Sequence, residues 1–294
     1  MKLALGTAQF GMNYGITNST GRVSLPEIKS ILDLSRSYGI NTLDTAYVYG
    51  NAEESLGFII EKDLFQIITK TKPVTQSSIT NSVINQIKKG IQLSFNRLQQ
   101  QKIYGLLVHH GEELLLKNGE RLFDLLKTYK EKEQISKIGV SVYTVEAAMK
   151  IVEKYPIDLI QVPLNMLDQR MSNSGMLKIL KEKDIEIHVR SAFLQGVLLE
   201  NKKNLSKNFD RIHEQLANLE QLSSETGVSK LAIALSYLKS ISEIDKIIIG
   251  VLNTIQLEEC VSAFNTDIPQ KINYQIFECK DNMIINPSNW EKLN

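Results

Sequence analysis

Asp44, Lys70 and His109 each close a short apolar run, and Tyr49 follows Asp44 by five residues in LDTAYVYG. A carboxylate, an amine, an imidazole and a phenol are the side chains of proton transfer. Taken singly, each has an ordinary role. An Asp at a strand end more often caps the next helix, a lone Lys is usually solvated, and a lone His usually makes a structural hydrogen bond. Crowded into one small space, they shift one another's pKa values, which acid–base chemistry requires. Other polar groups recur at matching places: Thr7, Ser141, Gln161 with Asn165, and Arg190.

The elements that must position them are short apolar runs alternating with amphipathic ones. The runs are KLALGT (2–7), INTLDT (40–45), LFQIITK (64–70), IYGLLVH (103–109), SKIGVSV (136–142), IDLIQVP (157–163), IEIHVR (185–190) and IDKIIIG (244–250). Between the first two, Ser24 and Glu27 form a capping box ahead of Ile28, Ile31, Leu32 and Tyr38 on one helical face. Gly39 ends that helix. Further helices are expected from Asn51 to Glu61, from about Ser77 to Gln99, around Leu122, Leu125, Leu126 and Tyr129, after a Thr144 cap, and from Asn253 with Gln256.

Strands apolar on both faces suit a parallel sheet covered by helices. Eight strand–helix units in 294 residues predict a (β/α)8 TIM barrel, a single domain over residues 1–294. A doubly wound sheet would carry a Gly-rich first turn, but Gly6, Gly11 and Gly15 in LGTAQFGMNYG have the wrong spacing. In a barrel the C-terminal strand ends share one mouth, so the polar strand-end residues converge there.

Composition narrows the classes. Hydrophobic residues make up 43%, charged residues 23%, and the net charge is +1. That balance argues against nucleic acid and anionic membrane as partners. No stretch approaches the roughly 20 apolar residues of a membrane span, and MKLALGTAQFG reads as a first strand rather than a signal peptide. The two cysteines, Cys260 and Cys279, have no metal-type spacing and read as reduced thiols in a cytoplasmic protein.

Five motifs, in order, carry a resemblance to the aldo-keto reductase family over nearly the whole chain: DTAYVYG with Asp44 and Tyr49, Thr69-Lys70 in IITK, LLVHH, IGVSV, and Gln161 in LIQVPLN. The resemblance implies reduction of an aldehyde or ketone, a small-molecule carbonyl substrate, by hydride from NADP(H), with NAD(H) the alternative. Tyr49 would be the proton donor, Lys70 would lower its pKa, Asp44 would pair with Lys70, and His109 would orient the carbonyl. Lys72 and His110 are the local competitors of Lys70 and His109. The family pattern selects Lys70 and His109 and leaves His110 to line the substrate pocket.

The resemblance also implies a cofactor set. Gly6, Thr7 and Asp44 come from the first two strands. Ser141 and Gln161 would hold the nicotinamide carboxamide. Val142 stands where the family usually has Asn, which leaves that bond missing or supplied by Asn165. Arg190 would stack on the nicotinamide, and Ser191, Gln195 and Gly196 would touch the pyrophosphate. Gly250, Leu252, Asn253, Gln256 and Glu259 would meet the adenosine end, where Cys260 replaces an Asn. No Lys or Arg lies between Lys246 and Lys271, so only a weak preference for NADP(H), or none, is expected.

Two other functions fit a barrel: a non-catalytic nucleotide-binding partner or regulatory subunit, and a lyase or aldolase using Lys70 as a Schiff base. The substrate loops would follow Gly11, Pro73 and His110. The tail residues Tyr274, Phe277, Met283 and Trp290 are open between closing the pocket and packing. His188 and His213 read as structural.

Overall fold

The computed structural model describes residues 1–268 and 271–293. The expected barrel is the fold observed. Eight parallel strands close in chain order: β1 (Leu3–Gly6), β2 (Thr42–Asp44), β3 (Gln66–Lys70), β4 (Ile103–Val108), β5 (Ile135–Ser141), β6 (Leu159–Pro163), β7 (Glu186–Arg190) and β8 (Lys246–Gly250). Closure is made by β8 against β1, from Leu3 beside Ile247 to Gly6 beside Gly250.

Helices cover the outside, and their caps differ in places from the pattern read in the sequence. Ser24 caps the helix Leu25–Ser37, accepting the Glu27 N–H at 3.4 Å. Glu27 does not reach back, as a capping box would have it. Its carboxylate accepts the Thr254 N–H at 2.8 Å, at the start of the helix Thr254–Asn265. A negative charge is favourable at that helix end, and Glu27 thereby ties the first long helix to the last. The helix Asn81–Leu98 starts later than Ser77 because Thr80 supplies the cap, accepting from the Val83 N–H.

Side chains alternate between the two faces of a strand. Ile68, Leu107 and Leu159 stand two residues before Lys70, His109 and Gln161. They form an apolar cluster of their own with Tyr104 packed against it, a dry plug beneath the mouth. Most of the remaining buried apolar side chains form one large cluster, built from the outward strand faces and the helices. Glu186 accepts from the Tyr104 hydroxyl at 2.7 Å and from Lys137, and lies 2.6 Å from His188 Nε2. His188 is therefore a buried structural histidine.

The tail packs on the body. Trp290 meets the Phe209 ring edge-on at 5.2 Å and donates from Nε1 to the Ile284 carbonyl at 2.9 Å. Gln169 donates to the Tyr274 carbonyl at 2.7 Å. Among the described residues, no helix is long and apolar enough to cross a membrane. Cys260 and Cys279 are free and buried.

Candidate active site

Asp44 and Lys70 end adjacent strands, and both are buried. Lys70 Nζ donates to Asp44 Oδ1 and Oδ2 at 2.8 Å each and to the Thr45 carbonyl at 2.9 Å. Tyr49 Oη lies 3.5 Å from the same nitrogen. From across the barrel, Gln161 Nε2 donates to Asp44 Oδ1 at 2.7 Å. Thr7 donates from its hydroxyl to the Asp44 carbonyl at 3.0 Å. Lys72 is exposed, so Lys70 is the lysine at the mouth.

Tyr49 is held by its turn. Gly50 has φ +56°, and a Cβ there would lie 2.2 Å from the Gly11 carbonyl oxygen; one on Gly11 would lie 1.8 Å from the Tyr49 carbonyl oxygen. Only glycines allow the two loops to cross this closely. The helix that follows, Ala52–Ile59, is tied to β3 by Thr69, whose hydroxyl donates to Glu53 Oε1 at 2.6 Å. Glu53 was not singled out in the sequence, where it reads as a first-turn acid like any other. The Tyr49 and His109 rings meet edge to face, with centroids 6.3 Å apart.

The electrostatics correct one expectation. Burial pushes the Tyr49 phenol above its ordinary pKa, the Asp44 charge pushes it further, and Arg190 works against both. The net direction is upward, not the lowering expected from Lys70. Burial lowers the Lys70 pKa, against the pull of Asp44. Burial, then Lys70, hold His109 down at about 3, so its ring is neutral at neutral pH. His109 Nδ1 is buried with no partner among the described residues. His110 packs against His109 with ring centroids 4.9 Å apart.

These groups open on a cavity of about 590 Å³. On the β2–β4 side it is lined by Asp44, Tyr49, Lys70 and His109; on the β8 side by Gly250, Leu252, Gln256 and Glu259. A model of the aldo/keto reductase family matches residues 2–281.

The chain belongs to the aldo/keto reductase family.

It is 23% identical to L-glyceraldehyde 3-phosphate reductase of Escherichia coli K12, over 86% of this chain and 84% of that one. It is 27% identical to aldo-keto reductase YhdN of Bacillus subtilis, over 67% of this chain and 60% of that one. Among solved structures, the holo form of aldo-keto reductase AKR11C1 from Bacillus halodurans matches with a TM-score of 0.72 at 18% identity, over 94% and 90% of the two chains. Membership places this chain among oxidoreductases that reduce carbonyl groups, in a family that uses nicotinamide cofactors.

In this aldo/keto reductase, Gly6, Thr7, Ser141, Gln161, Arg190, Ser191, Gln195 and Gly196 all line the cavity. Gln161 Oε1 is buried with no partner among the described residues. It is an acceptor facing the mouth beside the Ser141 hydroxyl, since Ser141 and Gln161 are register partners. That pair fits the amide of a nicotinamide. Asn165 does not fill the place left by Val142. Its amide donates to the Ser191 carbonyl in the loop after β7, and its oxygen accepts from Leu167 and Asp168 N–H in its own turn, so both ends of the side chain are engaged.

Asn253 and His110 are not among the cavity-lining residues. Asn253 caps its helix, accepting the Gln256 N–H at 2.9 Å, while Gln256 Oε1 accepts from Leu252 N–H at 2.8 Å. Tyr14 and Tyr143 line the cavity and were missed. Tyr143 follows the strand-end Ser141-Val142 as an ordinary loop aromatic, and only the fold sets its ring against Arg190, 4.1 Å from guanidinium carbon to ring centroid.

Proposed function

We propose that this protein reduces an aldehyde or ketone with a reduced nicotinamide cofactor, with Tyr49 as the proton donor. The observation that carries the reading is Lys70, whose ammonium contacts Asp44 at 2.8 Å and stands 3.5 Å from the Tyr49 hydroxyl in one cavity with His109.

The cofactor supplies the hydride when bound. Ser141 and Gln161 would hold its carboxamide, Arg190 would lie against its ring, and Ser191, Gln195 and Gly196 would hold its phosphates. Gly250, Leu252, Gln256 and Glu259 would line its adenosine end. Tyr49, a phenol protonated at neutral pH, gives its hydroxyl proton to the carbonyl oxygen. The phenolate left behind is stabilised by Lys70 and Arg190. Asp44 and the Thr45 carbonyl keep the Lys70 ammonium in place. Neutral His109 donates a ring N–H to the same carbonyl oxygen, which fixes the carbonyl for attack.

A Schiff-base reading is less well supported. An ammonium has three N–H donors, and Lys70 directs them at both Asp44 oxygens and the Thr45 carbonyl. A nucleophilic amine would have to break that set.

The test is consumption of reduced cofactor with a panel of carbonyls, in the native protein and in Tyr49→Phe. Short aldehydes, including glyceraldehyde 3-phosphate for which one relative is named, are the first to try. The variant should lose about 10²–10⁴-fold in turnover while still binding cofactor. Equal turnover would remove Tyr49 from the role.

A further inference from the structure

We infer that Arg190 makes the site selective for the oxidation state of the cofactor, favouring the neutral reduced nicotinamide over the cationic oxidised one. The inference rests on the nicotinamide reading above and goes beyond it, to how the product cofactor is released.

Ser141, Gln161 and Arg190 sit at the ends of three adjacent strands, with Ser141 paired to Gln161 and Pro163 paired to Arg190. A nicotinamide held by Ser141 and the free Gln161 oxygen therefore shares its mouth with the guanidinium. That guanidinium lies over the Tyr143 ring at 4.1 Å. It is pinned by donation to the Val142 carbonyl at 3.1 Å and to Ser191 Oγ at 3.4 Å. Both acceptors are uncharged.

Arg97, Arg170 and Arg211 are each balanced by a carboxylate, while Arg22 and Arg121 meet neutral oxygens outside the cavity. Arg190 has no carboxylate partner among the described residues, and Asp44, the acid of the mouth, is taken by Lys70 and Gln161. The Arg190 charge is felt across the cavity, by Tyr49, Lys70 and His109. A full positive charge on the wall repels a pyridinium and is indifferent to a neutral dihydropyridine. An aromatic ring at this place would do the reverse, since its face attracts a cation. The reduced cofactor is thus retained for the reaction and the oxidised product is expelled, so product inhibition by the oxidised form is weak.

The experiment is a fluorescence or calorimetric titration of reduced and oxidised cofactor into the native protein, Arg190→Gln and Arg190→Lys. Gln keeps a planar polar group without the charge; Lys keeps the charge without the plane. The native protein should bind the reduced form about tenfold more tightly or better, as expected for like charges a few ångströms apart in a partly screened site. Arg190→Gln should bring the two affinities close together, and Arg190→Lys should keep most of the difference. An unchanged ratio in Arg190→Gln overturns the inference. An equal loss of affinity for both forms also overturns it, because Arg190 then holds the phosphates. If the native protein binds neither form, the cofactor reading itself falls and takes this inference with it.

Discussion

Lys70 and Asp44 form a buried, two-point pair: both carboxylate oxygens lie 2.8 Å from the ammonium nitrogen. Removing either partner leaves the other charge buried and unpaired, which typically costs about 3–5 kcal/mol. Asp44→Asn and Lys70→Met should each abolish carbonyl reduction and lower the melting temperature. The double variant should be no less active than the worse single one and should recover part of the lost stability, because the two residues act as a unit. Lys72→Met should be near native on both counts. Additive losses in kcat/KM and melting temperature would dissolve the pair as a functional unit.

Gly11→Ala should be among the most damaging single-methyl changes in the chain. The added carbon would lie 1.8 Å from the Tyr49 carbonyl oxygen, so one loop must shift. Overpacking typically costs about 1–3 kcal/mol, and the shift would carry Tyr49 away from Lys70. The expected result is a large fall in kcat with a smaller effect on cofactor affinity. Steady-state kinetics beside a cofactor titration decide it, and native kcat would mean the crossing is slack.

Glu113 gives a pH dependence of stability. It is buried, and its Oε1 accepts the Val74 N–H at 2.9 Å, joining the loop after β3 to the loop after β4. Burial raises its carboxyl from 4.5 to about 7, against the lowering effect of the Val74 contact. The unfolded chain releases this proton near 4.5 and the folded chain near 7. In that window the folded state holds more protons, so stability from this group falls as pH rises and the loss is complete above the window. Glu113→Gln should flatten the slope. Urea midpoints at the two ends of the window, for native and variant, measure it; the same slope in both would assign it to other groups.

Cofactor choice should be nearly neutral. Glu200, Leu252, Gln256, Glu259 and Cys260 line the cavity around the β8 loop, and the cavity's basic side chains are Lys70 and Arg190 at the carbonyl end. A charge-assisted hydrogen bond to a 2′-phosphate is worth about 1.5–3 kcal/mol, or about 10- to 150-fold in affinity. Without one, NADPH should be preferred weakly or not at all over NADH. Titration with both reduced cofactors tests this, and a preference above about 100-fold would mean that a basic group from another loop reaches the phosphate.

The sequence alone determined the eight-fold alternation, the polar residue at nearly every strand end, and the motifs of Asp44, Tyr49, Lys70 and His109. These are legible because strand periodicity is local: a side chain's face follows from its position in its own run. What only the tertiary structure decided depends on register and closure. Gln161 bonds to Asp44 across 117 positions of sequence, Glu27 spends its carboxylate on Thr254 rather than on its own helix, and Asn165 is spent on the Ser191 carbonyl and on its own turn and does not line the cavity. The Tyr49 pKa is the sharpest case. A neighbouring Lys predicts a lowered value, but burial and the Asp44 charge prevail. A spacing names the groups that can meet; desolvation and the order of their distances, which exist only once the barrel closes, decide which of them controls the others.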